Sequence, residues 1–126
     1  MKIRILLADD HAVVRRGFRM ILDAQSDMEV VGEVSNGREA VEAATAIQPD
    51  IVVMDVTMPE LDGVEATRWI KSIDQFKKTP VVMITGRSEK QKVIESLQAG
   101  AADFIVKPFD QITIVGKVHK LLPEQP

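Results

Sequence analysis

Apolar and polar positions along the chain fall into two alternating textures. Short apolar runs, among them Ile5-Leu6-Leu7-Ala8, Ile51-Val52-Val53-Met54, Val81-Val82-Met83-Ile84 and Phe104-Ile105-Val106, are separated by longer stretches in which apolar residues recur with helical period. The runs predict strands over residues 3–8, 29–34, 51–54, 81–85 and 103–106, and the longer stretches predict helices over 12–25, 38–47, 64–74, 89–99 and 111–122. Strand and helix in strict alternation predict (βα)5, an α/β fold with a parallel sheet. The punctuation agrees, with Asn36-Gly37 before the second helix, Gln48-Pro49-Asp50 after it, Ala99-Gly100 ending the fourth and Lys107-Pro108 ahead of the fifth. The fifth helix has weak intrinsic support, since Ile112, Thr113, Ile114, Val115 and Val118 are β-branched and Gly116 interrupts it. Its apolar period still favours a helix, one whose stability rests on packing against the sheet.

Polar residues close the apolar runs. Asp9 and Asp10 follow the first, Asp55 follows Met54, Thr85 ends the fourth run and Lys107 the fifth. If the strands are parallel neighbours, these groups converge at one edge of one sheet. A carboxylate placed directly after a buried run needs a cation, hydrogen bonds or a chemical task to offset its desolvation. Taken singly, each residue also has a plain structural role: Asp9-Asp10 as a turn with a helix N-cap, Thr85 as a β-branched strand residue, Lys107 as a solvated amine, Asp62-Gly63 as the turn that starts the third helix. His11 is read as a surface or capping residue beside the acidic pair, and Trp69 as packed or partly exposed on the third helix.

Composition narrows the classes. A chain of 126 residues with 45% hydrophobic content is read as one domain over residues 1–126 with a real core. It has no cysteine, which removes disulfides and thiolate metal sites, and no apolar stretch long enough to span a bilayer, so a cytoplasmic location is expected. A net charge of −3 argues against nucleic-acid binding by these residues. The local basic cluster, Arg15, Arg16 and Arg19, lies opposite Val14, Phe18, Ile21 and Leu22 on the first helix and reads as a solvated face.

In this order, Asp9-Asp10, then Asp55-Val56-Thr57-Met58-Pro59-Glu60-Leu61-Asp62-Gly63, then Thr85, then Lys107-Pro108-Phe109, the chain resembles the receiver domain of two-component response regulators over essentially its full length. The first half, around Leu7 to Gly17, is similar to receivers joined to helix-turn-helix output domains. The segment from Asp103 to Phe109 is closer to chemotaxis and winged-helix-regulator receivers. Both a stand-alone receiver and an excised module fit. The resemblance implies a doubly wound five-stranded sheet of flavodoxin-like order 2-1-3-4-5, which sets the first strand beside the third at the point where ligands bind in such folds.

It also implies roles. Asp55 would be the phosphoacceptor, taking a phosphoryl group from a phosphohistidine on a sensor histidine kinase or phosphotransfer protein. Mg²⁺ would be held by Asp9, Asp10, Asp55 and the backbone carbonyl of Thr57, since hard oxygen donors suit that ion. Lys107 and Thr85 would stabilise the transferring group. Thr85 and Phe104 would carry the change to the face made by the fourth helix, fifth strand and fifth helix, and Phe104 is otherwise a plain core residue. Thr57 and Arg87 would tune the phosphate lifetime. The Lys107-Pro108 bond matches a family motif in which that bond is cis. Downstream, the resemblance implies a protein target or an output domain, and a phosphorylation-dependent dimer; the chain would have no outside substrate turnover.

Rival classes fit less well. An Asp-nucleophile phosphatase sharing the Mg²⁺, Thr and Lys parts needs an alternating Asp-x-Asp after the first strand, where this chain has Asp9-Asp10-His11-Ala12. A flavin- or nucleotide-binding module needs a phosphate-cradling loop there, rich in Gly, Ser or Thr. A non-phosphorylated interaction domain on the same fold would not require the full Asp, Asp, Asp, Thr, Lys set.

Overall fold

The computed structural model describes residues 2–86, 89–107 and 110–122. Five strands, β1 (Ile3–Ala8), β2 (Met28–Val34), β3 (Ile51–Asp55), β4 (Val81–Thr85) and β5 (Asp103–Val106), form one parallel sheet in the order β2-β1-β3-β4-β5. The helices are α1 (Ala12–Asp23), α2 (Gly37–Ile47), α3 (Gly63–Ser72), α4 (Lys90–Ala99) and α5 (Gln111–Leu121). The order expected from the resemblance is the order observed.

Alternation along the strands divides the core into two layers. Ile5 and Leu7 of β1, Val53 of β3, Val82 and Ile84 of β4 and Ile105 of β5 pack with Phe18 and Leu22 of α1 and Ile114 and Val118 of α5. The intervening residues, Leu6, Ala8, Val52, Met54, Val81 and Met83, pack with Ala40 and Ala44 of α2 and Ala66 and Ile70 of α3. The middle strands are buried along their whole length, as strands with helices on both faces must be. This explains the formation of α5: burial of Ile114 and Val118 overrides the weak propensity of its β-branched sequence.

Helix starts follow the side chains that can cap them. Asn36, Asp62 and Asp110 each accept a hydrogen bond from the backbone amide three residues on, at 2.8 to 2.9 Å. α4 ends on Gly100, whose φ of 114° favours glycine.

Several boundaries differ from the sequence expectation. α1 stops at Asp23, two residues early, because the Asp23 carboxylate turns to accept the amide of Val30 at 2.8 Å. α3 stops at Ser72, and Asp74–Phe76 forms a separate 3-10 turn that buries Phe76. The Lys71 amine holds this break, donating to the carbonyls of Phe76, Lys77 and Thr79 at 2.8, 2.9 and 2.7 Å. Asp55 belongs to β3 itself, paired with Ile84, where the apolar run alone ended the strand at Met54. Among the described residues, no helix is long and apolar enough to cross a membrane.

Candidate functional site

β1 and β3 are adjacent, with Ala8 opposite Met54, so Asp9 and Asp55 leave the sheet side by side. Asp9 is 1% exposed and Asp55 4%. The backbone behind Asp55 is held by close contact: Gly63 donates its amide to Val56 O at 3.0 Å, and a β-carbon on Gly63 would lie 2.0 Å from the Asp55 carbonyl oxygen. Only glycine fits there, which gives the Asp62-Gly63 turn its structural meaning.

Among the described residues, each Asp55 oxygen has one hydrogen-bond partner. Oδ1 accepts the Thr57 amide at 3.1 Å, and Oδ2 accepts from Lys107 Nζ at 3.3 Å. Lys107 is anchored through its own amide, which donates to Thr85 O at 2.8 Å, and its Nζ also lies 3.9 Å from Asp9 Oδ2. Asp9 Oδ1 accepts the His11 amide at 2.8 Å, whereas the buried Oδ2 has no hydrogen-bond partner among the described residues. Burial pushes the Asp55 carboxyl above its ordinary range and the neighbouring Asp9 charge pushes the same way; the Thr57 amide and Lys107 oppose them without cancelling them.

Three carboxylates of which two are buried, one with an unsatisfied oxygen, are suited to a hard cation. One ligand atom from each of Asp9, Asp10, His11 and Asp55 lies within 4.8 Å of the other three. The expected residues thus largely converge. Asp9, Asp55 and Lys107 are in mutual reach, and Asp10 sits at the exposed rim. Thr85 is buried beside them, with its hydroxyl donating to Gly86 O at 3.1 Å. Phe104 is half-buried and lines, with Thr85, Val93, Ile94 and Val106, a groove of about 450 Å³ between α4 and β5; the Lys117 amine stands 5.9 Å from its ring centroid. Arg87 and the Lys107-Pro108 junction lie outside the described residues.

Two features escaped the sequence. Arg16 and Arg19 are exposed, as a solvated face requires, but Arg15 and Arg19 also have partners: Arg15 donates to the Asp9 carbonyl at 2.6 Å and pairs with Glu33 at 3.3 Å, and Arg19 also pairs with Glu33. These pairings tie α1 to β2 next to the acidic pair, and Glu33 is too distant in sequence for helical periodicity to show them. Glu89 is the second. One of its oxygens accepts the Thr57 hydroxyl at 2.7 Å and the other the Gly86 amide at 2.7 Å, so it joins the loops after β3 and β4. Trp69, for its part, is 58% exposed.

The sequence model of the response regulator receiver domain matches residues 5–119. The chain is 42% identical over 118 residues to the chemotaxis protein CheY of Thermotoga maritima, covering 94% of this chain and 96% of that one. It is 44% identical over 104 residues to the uncharacterized transcriptional regulatory protein YhcZ of Bacillus subtilis, covering 82% of this chain but only 48% of the relative. The chain therefore spans almost all of one relative and about half of the other. Among solved structures, the receiver domain of sensor histidine kinase PA1611 from Pseudomonas aeruginosa, with a magnesium ion coordinated in its active site cleft, superposes with a TM-score of 0.89 at 27% identity, covering 98% of this chain and all of that one.

Proposed function

The chain belongs to the response regulator receiver domain family, a phosphorylation-activated switch of two-component signalling, and from that premise we propose that Asp55 is its phosphoacceptor. The observation that carries this reading is the setting of Asp55: a buried carboxylate at the end of β3, with one oxygen on the Thr57 amide and the other on Lys107. In the reaction an Asp55 oxygen attacks the phosphorus of a phosphohistidine; the P–O bond forms as the P–N bond breaks, and the imidazole leaves with the electron pair. The Lys107 ammonium follows the charge onto the phosphoryl oxygens, and the Thr85 hydroxyl turns from Gly86 O toward one of them.

Asp9, Asp10, Asp55 and the Thr57 carbonyl would hold Mg²⁺, the ion named for the PA1611 receiver. Once bound, the ion neutralises the crowded carboxylates and the incoming phosphoryl charge. The partners are a sensor histidine kinase or phosphotransfer protein upstream and a protein target or output domain downstream, with cytoplasmic action as one domain and no turnover of an outside substrate. The rotation of Thr85 reaches Phe104 through the groove they share, and the repositioned ring alters the α4-β5-α5 face, where a dimer or a target can form. Thr57 and Arg87 set the lifetime of the phosphate.

A small-molecule phosphodonor with Mg²⁺ should add one phosphoryl group by intact mass, and Asp55→Asn should abolish it. Modification that persists in Asp55→Asn overturns the assignment.

A further inference from the structure

Building on the reading of Asp9, Asp10 and Asp55 as a metal site, we propose that His11 adds a nitrogen ligand to that site and biases it toward divalent transition-metal ions over Mg²⁺. His11 is the N-cap residue of α1, yet its side chain makes no capping hydrogen bond. Its ring turns instead over the acidic pair, with Nδ1 at 3.3 Å from Asp9 Oδ1 and 3.2 Å from Asp10 Oδ1. Of the two roles expected from the sequence, surface or capping, the exposed side chain fits the first, and capping does not explain the placement of the ring.

The cluster also contains an atom that needs a partner. Asp9 Oδ2 is buried and lacks a hydrogen bond among the described residues, and it faces the Asp55 side, since the same Lys107 amine lies 3.9 Å from it and 3.3 Å from Asp55 Oδ2. Uncompensated, such an oxygen is costly.

An imidazole nitrogen between two carboxylate oxygens can act in two ways. It can donate a proton to them, or, with its proton on Nε2, present a lone pair to a cation that they share. The second arrangement makes the donor set mixed. Mg²⁺ gains little from it, because that ion takes oxygen ligands and water. Ions such as Co²⁺ and Ni²⁺ gain substantially, because imidazole suits them and their affinity for nitrogen-containing sites rises along the first row. The His11 side chain is 64% exposed, so no packing holds it away from an arriving ion.

Co²⁺ is the probe, because its visible absorption reports nitrogen ligation, and Mg²⁺ is titrated in parallel by its effect on melting. Wild-type chain, His11→Ala, His11→Gln and Asp10→Asn are compared, with metal-free melts to establish that each folds. In both His11 variants Co²⁺ affinity should fall by about tenfold or more with a changed spectrum, while Mg²⁺ affinity stays within about twofold. Asp10→Asn should weaken both ions. Equal Co²⁺ affinity and spectrum in wild type and the His11 variants would overturn the proposal, as would an equal loss of both ions, which marks a general electrostatic role. Failure of the wild type to bind either ion would defeat the underlying metal reading as well, a separate outcome.

Discussion

The Thr57 hydroxyl donates to Glu89 across the mouth of the site at 2.7 Å, and through the second Glu89 oxygen that contact reaches the Gly86 amide. The two loops that flank Asp55 and Thr85 are therefore joined by one carboxylate. Glu89→Ala should free the Gly86 amide, and its hydrogen exchange should quicken by about tenfold, the equivalent of about 1.4 kcal/mol of protection. Unchanged exchange at Gly86 would mean that the carboxylate does not hold the loop.

Gly63 and Gly17 predict opposite signs for the same substitution. A β-carbon at Gly63 would meet the Asp55 carbonyl oxygen at 2.0 Å, and backbone cannot move aside cheaply. Gly63→Ala should cost about 3 kcal/mol or more in denaturant unfolding. At Gly17, inside α1, nothing lies within 4 Å of the added carbon, so Gly17→Ala should stabilise by about 0.5–1 kcal/mol. A stable Gly63→Ala protein would show that the turn has room the structure does not give it.

Burial and Asp9 raise the Asp55 carboxyl above its ordinary value, so the folded chain holds that proton more tightly than the unfolded chain does. The Asp55 contribution to stability is therefore complete below the unfolded-state value and is lost as pH rises through the raised folded value. Asp55→Asn cannot ionise and escapes the loss. In metal-free buffer the stability advantage of Asp55→Asn over wild type should grow as pH rises from about 4. An advantage that stays flat or shrinks, read from urea midpoints, would contradict the electrostatic picture of the site.

Lys71 tests the break after α3. Its amine satisfies three carbonyls of the following turn, and Lys71→Met keeps the side-chain bulk while leaving them without that donor. A loss of about 1–3 kcal/mol is expected. A variant as stable as wild type would show that water replaces the amine at no cost.

What the sequence disclosed follows the physics of each feature. Strands and helices were legible because burial on two faces imposes apolar runs and helical periods, and Asp9, Asp55, Thr85 and Lys107 stood out because each closes such a run. The early end of α3 was not legible, since the Lys71 clamp leaves no periodic trace. Nor were the partners of Glu89 and Arg15, because Thr57 and Glu33 reach them only through the fold. The motif around His11 was visible, but the direction of its ring was not. The roles of Asp55, Thr85 and Lys107 came from family resemblance; periodicity located these residues without saying what they do.

The pairing of Ala8 with Met54 places Asp9 and Asp55 one strand spacing apart, about 4.8 Å by the geometry of sheets. The main chain sets that interval, so the backbone cannot move the two residues apart to dilute the repulsion of their carboxylates. A proton, a cation or covalent change is left as the means of relief. Such a site has to be answered with charge: a cation that enters it should quiet it, and a neutral ligand of perfect fit should leave it as it was.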